Sequence, residues 1–555
     1  MRMLSLPLAL GLLTAPLPAL ACGGLFCNAV TPVNQAAERI LFAVDGEQVH
    51  MHVRITYQGP PTDFGWLLPA PRGVETSLSS ELLFTRLDQN AGPVFQLTTV
   101  FEEGCDVPRA SNGGAEDGDF GPDAGAGGDP GVEVLSRQNI GPYDRAILEA
   151  ENVAALRAWL DENGFEVPDA VDEKLQPYID AQAVFVAIKL LPGEDSGDIV
   201  PLHLSFPGNV PSIPIVPTSV AANPDMGIIV HVLGQARAIP LNYLHVQINE
   251  GAIDWVGGGQ NYPDVVSQAA DEAGGHAFTT DYAGTLGPTI AVGLQPIPEQ
   301  AVTELAEART LQGLVSFLYG YAFNDADAMR VARQAALPEG TDTDFFFQCP
   351  DCGAVDLEAP LDGAALAAQV RDEVNAPREG LLELLNAQPY LTRLYSTMSP
   401  EEMDRDPLFA FNADQPEVPN VRTATQTIGC LESGEADFAN AVIETASGVR
   451  VQLAEGQNPQ VIRRSEGMTV AMGQAQAALV VERIKPEVPE SEIVTDNRGS
   501  VDFTGPGGGV KSDGGDSDGG GILCSARPGA GGSALGLVAA ALLGLGARRR
   551  RGARP

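Results

Sequence analysis

Arg39-Ile40-Leu41-Phe42-Ala43-Val44-Asp45-Gly46-Glu47-Gln48-Val49-His50-Met51-His52-Val53-Arg54-Ile55-Thr56-Tyr57 is the stretch that decides the fold class. Arg39 to Val44 reads as a strand, Asp45-Gly46 as a type I′ turn signal, and Glu47 to Tyr57 as the returning strand. In the returning arm Val49, Met51, Val53, Ile55 and Tyr57 alternate with His50, His52, Arg54 and Thr56. Successive strand side chains point to opposite faces, so this arm is half-buried and carries one polar, solvent-facing side.

Working outward, Phe64 to Pro69 predicts a short strand stopped by proline. Val184 or Phe185 to Leu191, Gly227 to Leu233 and Leu244 to Ile248 predict more strands. Val153, Leu156, Trp159 and Leu160 line one helical face, which Asn163-Gly164 stops. Pro263 to Glu272 predicts a helix ended by Gly274-Gly275. Glu299 to Ala335 and Ala364 to Leu394 are mostly helical by period, and Ser399-Pro400-Glu401-Glu402 reads as a capping box. Val442 to Leu453 and Met468 to Ile484 return to strand. A β-rich N-terminal part, a helical middle and a strand-rich end predict an α+β protein.

The flanks carry export signals. Arg2, the apolar run Leu4 to Leu17 and Ala19-Leu20-Ala21 form a secretory signal peptide over residues 1–21. A lipoprotein signal competes, because Cys22 follows the cleavage site directly. Residues 22–485 read as one exported body, interrupted by a glycine-rich acidic insertion at 111–131 that cannot bury enough apolar surface to fold. Residues 486–528 read as a flexible Gly/Asp-rich stalk holding Cys524, 529–547 as an apolar helix, and 548–555 as an Arg-rich cytoplasmic tail. At about 1.5 Å per residue, the apolar helix spans roughly 28 Å, just enough for a bilayer core.

The 555 residues include 73 acids against 33 bases, a net charge of −40. Such a surface repels nucleic acid, which is excluded as a partner. Divalent cations could condense on it, but the Asp/Gly strings lack EF-hand spacing and its closing glutamate. Seven cysteines fit an exported protein. Apart from Cys524, local spacing suggests Cys22–Cys27 and Cys349–Cys352, and elimination leaves Cys105–Cys430.

Two resemblances add to this reading. Cys524, the apolar run and Arg548-Arg549-Arg550-Arg551, in that order, resemble the MYXO-CTERM sorting signal of myxobacterial surface proteins. That likeness implies processing near Cys524 by an intramembrane sorting protease. It also implies retention at the cell surface, through the helix or a modified Cys524, with the apolar helix lost if cleavage occurs. Cys22-Gly23-Gly24-Leu25-Phe26-Cys27, Asp63-Phe64-Gly65-Trp66-Leu67-Leu68-Pro69, Gly141-Pro142-Tyr143-Asp144, Ala269 to Gly275 and Tyr390 to Tyr395 resemble the exported bacterial domain-of-unknown-function family 2330. The likeness runs from Cys22 to at least Leu408 and brings no catalytic residue with it.

Three constellations could carry chemistry. Cys349-Pro350-Asp351-Cys352 reads first as a structural disulfide, with a redox pair or a metal half-site as alternatives. Phe345-Phe346-Phe347 reads as the strand before it. His50 and His52 could share a metal from one strand face, although no third ligand stands out. Asp271, Glu272, His276 and Asp281 form a His–carboxylate cluster that could supply a general base and its orienting acid. No GxSxG, HExxH, GxxxxGK[ST] or GxGxxG occurs, and no cofactor is expected. The sequence therefore predicts a cell-surface binding or structural module with an envelope partner, leaning away from an enzyme. A secreted hydrolase or thiol–disulfide enzyme is the alternative.

Overall fold

The computed structural model describes residues 34–58, 64–105, 133–165, 168, 170–192, 199–220, 222–353, 355–452 and 477–498. The predicted signal peptide 1–21, Cys22, Cys27, the acidic insertion, Cys524, the apolar 529–547 run and Arg548 to Arg551 lie outside these residues. All described residues belong to a unit that runs to Lys511. Among them, no helix is long and apolar enough to cross a membrane.

The opening hairpin forms from Asn34–Asp45 and Gln48–Gln58. Its turn sits one residue later than the Asp-Gly signal predicts. Asp45 pairs with Gln48, leaving Gly46-Glu47 as the loop. Only Gly46 has positive φ, +62°. Glycine first and an ordinary residue second is the type II′ pattern, which also matches the strand twist.

This hairpin lies within a ten-stranded sheet. Its order is Glu492–Asp496, Ala478–Arg483, Leu244–Ile248, Ala277–Thr285, Tyr390–Met398, Ala222–Gly234, Asn34–Asp45, Gln48–Gln58, Leu202–Pro207 and Glu75–Leu78. Most pairs are antiparallel; Asn34–Asp45 with Ala222–Gly234 and Leu244–Ile248 with Ala277–Thr285 are parallel. The protein is α+β, but its parts interleave: strands from both ends of the described chain meet in one sheet. The Glu492–Asp496 strand lies in the segment that composition assigns to the stalk, and it pairs with Ala478–Arg483.

A four-stranded antiparallel sheet, Gly65–Ala70, Val184–Leu190, Tyr143–Glu149 and Glu133–Ile140, packs on the large one. Ile40, Phe42, Val49, Met51, Val53, Leu202 and Leu204 meet Trp66, Leu68, Ile147 and Val186 in their shared core. Helices Val153–Glu162 and Val171–Asp180 cover the outer face of the smaller sheet through Leu156, Leu160 and Leu175. Helices Glu81–Ala91 and Ala376–Ala387 cover the other face of the large sheet, through Leu83, Leu87, Leu381 and Leu385 against Leu41, Ala43 and Leu233. The order is helix, sheet, sheet, helix, so the hairpin strands are covered on both faces. A separate helical core runs from Ile297 to Val374. A second four-stranded sheet joins Val94–Phe101 to Val421–Cys430 in parallel, and the Cys105–Cys430 disulfide closes it.

Three local predictions are overturned. Tyr390 to Leu394 is strand rather than the end of a helix. The Ala376–Ala387 helix stops ahead of Pro389, and Gln388 before that proline is pushed out of the helical region. Phe345-Phe346-Phe347 lies in the Thr343–Gln348 helix, started by the Asp342 side chain accepting from Phe345 N–H. Ser399 to Glu402 makes half of its capping box, since Glu402 Oε2 accepts from Ser399 N–H, but closes only a turn. The chain is then held elsewhere: Asp406 accepts from Tyr178 O–H and Val216 N–H.

Candidate functional site

Strand pairing gathers three of the chain's six histidines. His50 and His52 share one face of Gln48–Gln58, and His203 lies directly opposite His52 on Leu202–Pro207. The outermost strand sets Ser77 opposite His203. His203 is the residue the sequence reading missed, since it lies 153 residues from His50. The face is not solvent-facing as predicted. His52 is only 3% exposed, and the Ala376–Ala387 helix lies over this side of the sheet.

The two elements leave a cleft of about 400 Å³, lined by Asp45, His50, His52, Ser77, His203, Asp372 and Glu383 together with apolar helix residues. His50 Nδ1 and His203 Nε2 are 3.1 Å apart. Their ring centroids are 5.3 Å apart and their planes 12° from parallel. The centroid separation exceeds the nitrogen separation by about two ring radii, so the rings meet edge to edge and share one hydrogen bond. Ser77 Oγ bonds the other nitrogen of His203 at 3.0 Å, and Ser79 Oγ bonds His52 Nδ1 at 2.8 Å. The buried His52 Nε2 has no partner among the described residues.

Burial keeps these rings neutral. It pushes His203 down to about 4, with His50 adding to the effect. Burial, then His203 and His50, hold His52 well below its ordinary range. Burial also lowers His50, against the pull of Asp45. His50 and His52 each bond through Nδ1, to His203 and to Ser79 respectively. No group of three His, Cys, Asp or Glu among the described residues is arranged to hold a metal ion. The cleft presents imidazole edges, with both nitrogens of His203 already bonded, and a rim of carboxylates.

Residues 16–347 match a family described as an uncharacterized protein conserved in bacteria, DUF2330. The chain belongs to the DUF2330 family. The DUF2330 match covers more than half of the chain and contains all three cleft histidines. It ends before Tyr390 to Tyr395, on which the sequence resemblance also rested, and before the covering Ala376–Ala387 helix. No curated protein and no solved structure matches the chain.

The predicted His–carboxylate cluster does not assemble. His276 bonds Gly274 O and Asp404 at the surface. Glu272 caps the backbone N–H groups of Ala477 and Ala478. Burial and the nearby Glu402 raise the Asp271 carboxyl. Asp281 is fully buried with Tyr262 and Arg393. Cys349 and Cys352 are joined as a disulfide at the end of the Thr343–Gln348 helix, not at a helix start where a thiolate would be stabilised. Another cleft, of about 470 Å³, is mainly apolar; its Arg72 and Asp406 are already bonded, to Glu149 and Tyr178.

Proposed function

We propose that this DUF2330 protein is an exported, envelope-tethered binding module whose histidine cleft takes a small organic cation. The observation that carries the ligand class is the lining: three imidazoles and the carboxylates of Asp45, Asp372 and Glu383 surround the cleft, with no lysine or arginine among its described lining residues. Carboxylates favour an ammonium group, and each neutral imidazole has one acceptor nitrogen for an N–H bond. The export reading is supported by the signal-like residues 1–21 and by the order of Cys524, apolar run and arginine block. On this reading a sorting protease acts near Cys524 and the body stays at the cell surface.

Titration calorimetry of the full chain with a linear diamine tests the ligand class. Saturable binding that Asp372→Asn and Glu383→Gln weaken supports it, and both positions are exposed enough to change without unfolding the chain. Absence of binding by the parent chain overturns it. Fractionation of cells producing Cys524→Ala tests the tether: the variant should be missorted or lost from the surface fraction, and unchanged retention rejects Cys524 as the sorting residue.

A further inference from the structure

A second constellation lies at the far end of the large sheet, and the sequence reading did not single it out. We infer that Thr280, His245 and Glu482 form the nucleophile, general base and orienting acid of an acyl-transfer site for small carboxylic esters. The strands supply the geometry. Leu244–Ile248 runs between Ala478–Arg483 and Ala277–Thr285. His245 is in register with Glu482, which lies 237 residues away in sequence. His245 Nδ1 is 2.9 Å from Glu482 Oε1, and His245 Nε2 is 3.0 Å from Thr280 Oγ1. A base within reach of a hydroxyl, itself held by a third group, is the arrangement that activates a weak oxygen nucleophile.

The surroundings fit the roles. Gln247 and Ser491 both donate to Glu482, fixing the acid. Burial lowers the His245 imidazole despite the nearby carboxylate, which leaves it neutral and able to take a proton. Asp281 is the extra residue of a bulge immediately after Thr280, and bulges commonly re-aim side chains beside active sites. Arg237 Nη2 donates to Thr280 Oγ1 at 3.1 Å, and Arg422 Nη2 to the Thr280 carbonyl at 3.2 Å. The Nε groups of both arginines lack a hydrogen-bond partner among the described residues. The two guanidinium charges beside Thr280 favour an anionic acyl oxygen there. All five side chains line one cleft of about 430 Å³.

The step balances without a redox partner. Thr280 Oγ bonds to the acyl carbon while its proton passes to His245 Nε2. The bond from that carbon to the leaving oxygen breaks, and the leaving alcohol takes the proton from His245. Water then attacks the acyl-threonine, again giving its proton to His245, which returns it to Thr280 Oγ as the carboxylic acid departs.

The full chain is incubated with p-nitrophenyl acetate, and nitrophenolate release and the mass of the Thr280-containing peptide are followed. Acetylated Thr280 and turnover are expected, with Thr280→Val and His245→Gln each lowering the rate by about 100-fold or more. Thr280→Ser keeps a hydroxyl and should still become acetylated, which separates lost chemistry from lost folding. Absence of turnover together with an unmodified Thr280 in the parent chain overturns the assignment, as does a Thr280→Val rate equal to the parent's. In either case the three residues serve only to tie the Ala478–Arg483 strand to the sheet.

Discussion

His52 and His203 stack face to face, with ring centroids 4.3 Å apart and planes 8° from parallel. Two stacked imidazoles at this distance cannot both be charged without strong repulsion, and burial already disfavours the charged form. The folded chain therefore binds protons here less readily than the unfolded chain. The unfolded His203 takes up its proton near pH 6.5 and the folded one only near 4. Stability is fully present above pH 6.5 and is lost as pH falls toward 4. His203 alone accounts for about 3 kcal/mol of that loss. Urea denaturation at several pH values should show this fall in the stability of the parent chain measured relative to His203→Gln.

Glu38 predicts a slope of the opposite sign. It is buried in the Asn34–Asp45 strand, and burial raises its carboxyl to about 7. The folded state keeps the proton that the unfolded state releases near 4.5. Stability from this group is highest below 4.5 and falls as pH rises through 7, by about 3 kcal/mol. Glu38→Gln should leave acid stability unchanged and raise stability at pH 8. Equal melting temperatures for parent and variant at pH 8 would show that Glu38 finds a partner when ionised.

Asp281 carries the most enclosed ion pair in the large sheet. Its carboxylate accepts from Arg393 and from the Tyr262 hydroxyl, joining Ala277–Thr285, Tyr390–Met398 and the Tyr262–Glu272 helix. Removing one partner leaves a buried charge unpaired. Arg393→Met should cost about 3–5 kcal/mol in denaturant unfolding. The double variant Arg393→Met with Asp281→Leu should recover part of that loss, because it removes the stranded carboxylate as well.

These residues show where the sequence was legible. Period-two alternation identified Gln48–Gln58 and its histidine face, because alternation depends only on neighbours along one strand. It could not say what covers that face. The lid is a helix more than 300 residues further on, and His203 arrives only through strand pairing. The Glu482–His245–Thr280 row was hidden for the same reason: three unremarkable polar residues acquire meaning only when three strands align. Helical period misled at Tyr390 to Leu394, where Pro389 outweighs leucine spacing. Cysteine arithmetic reached Cys105–Cys430 across 325 residues without any geometry, because counting pairs is indifferent to distance in sequence.

That disulfide carries the last prediction. Cys430 ends the Val421–Cys430 strand, and Cys105 follows Val94–Phe101, its parallel neighbour. A parallel pair has no hairpin to hold its ends together, so the crosslink substitutes for a local turn. Closing so long a loop removes much freedom from the unfolded chain, worth about 2–5 kcal/mol. Cys349–Cys352, at a separation of 3, closes almost nothing and should contribute far less. Cys430→Ser with Cys105→Ser should therefore lower the denaturant midpoint clearly, and Cys349→Ser with Cys352→Ser only slightly. The reverse order would mean that the short bridge protects the helical core around Phe346 and Phe347, which it adjoins.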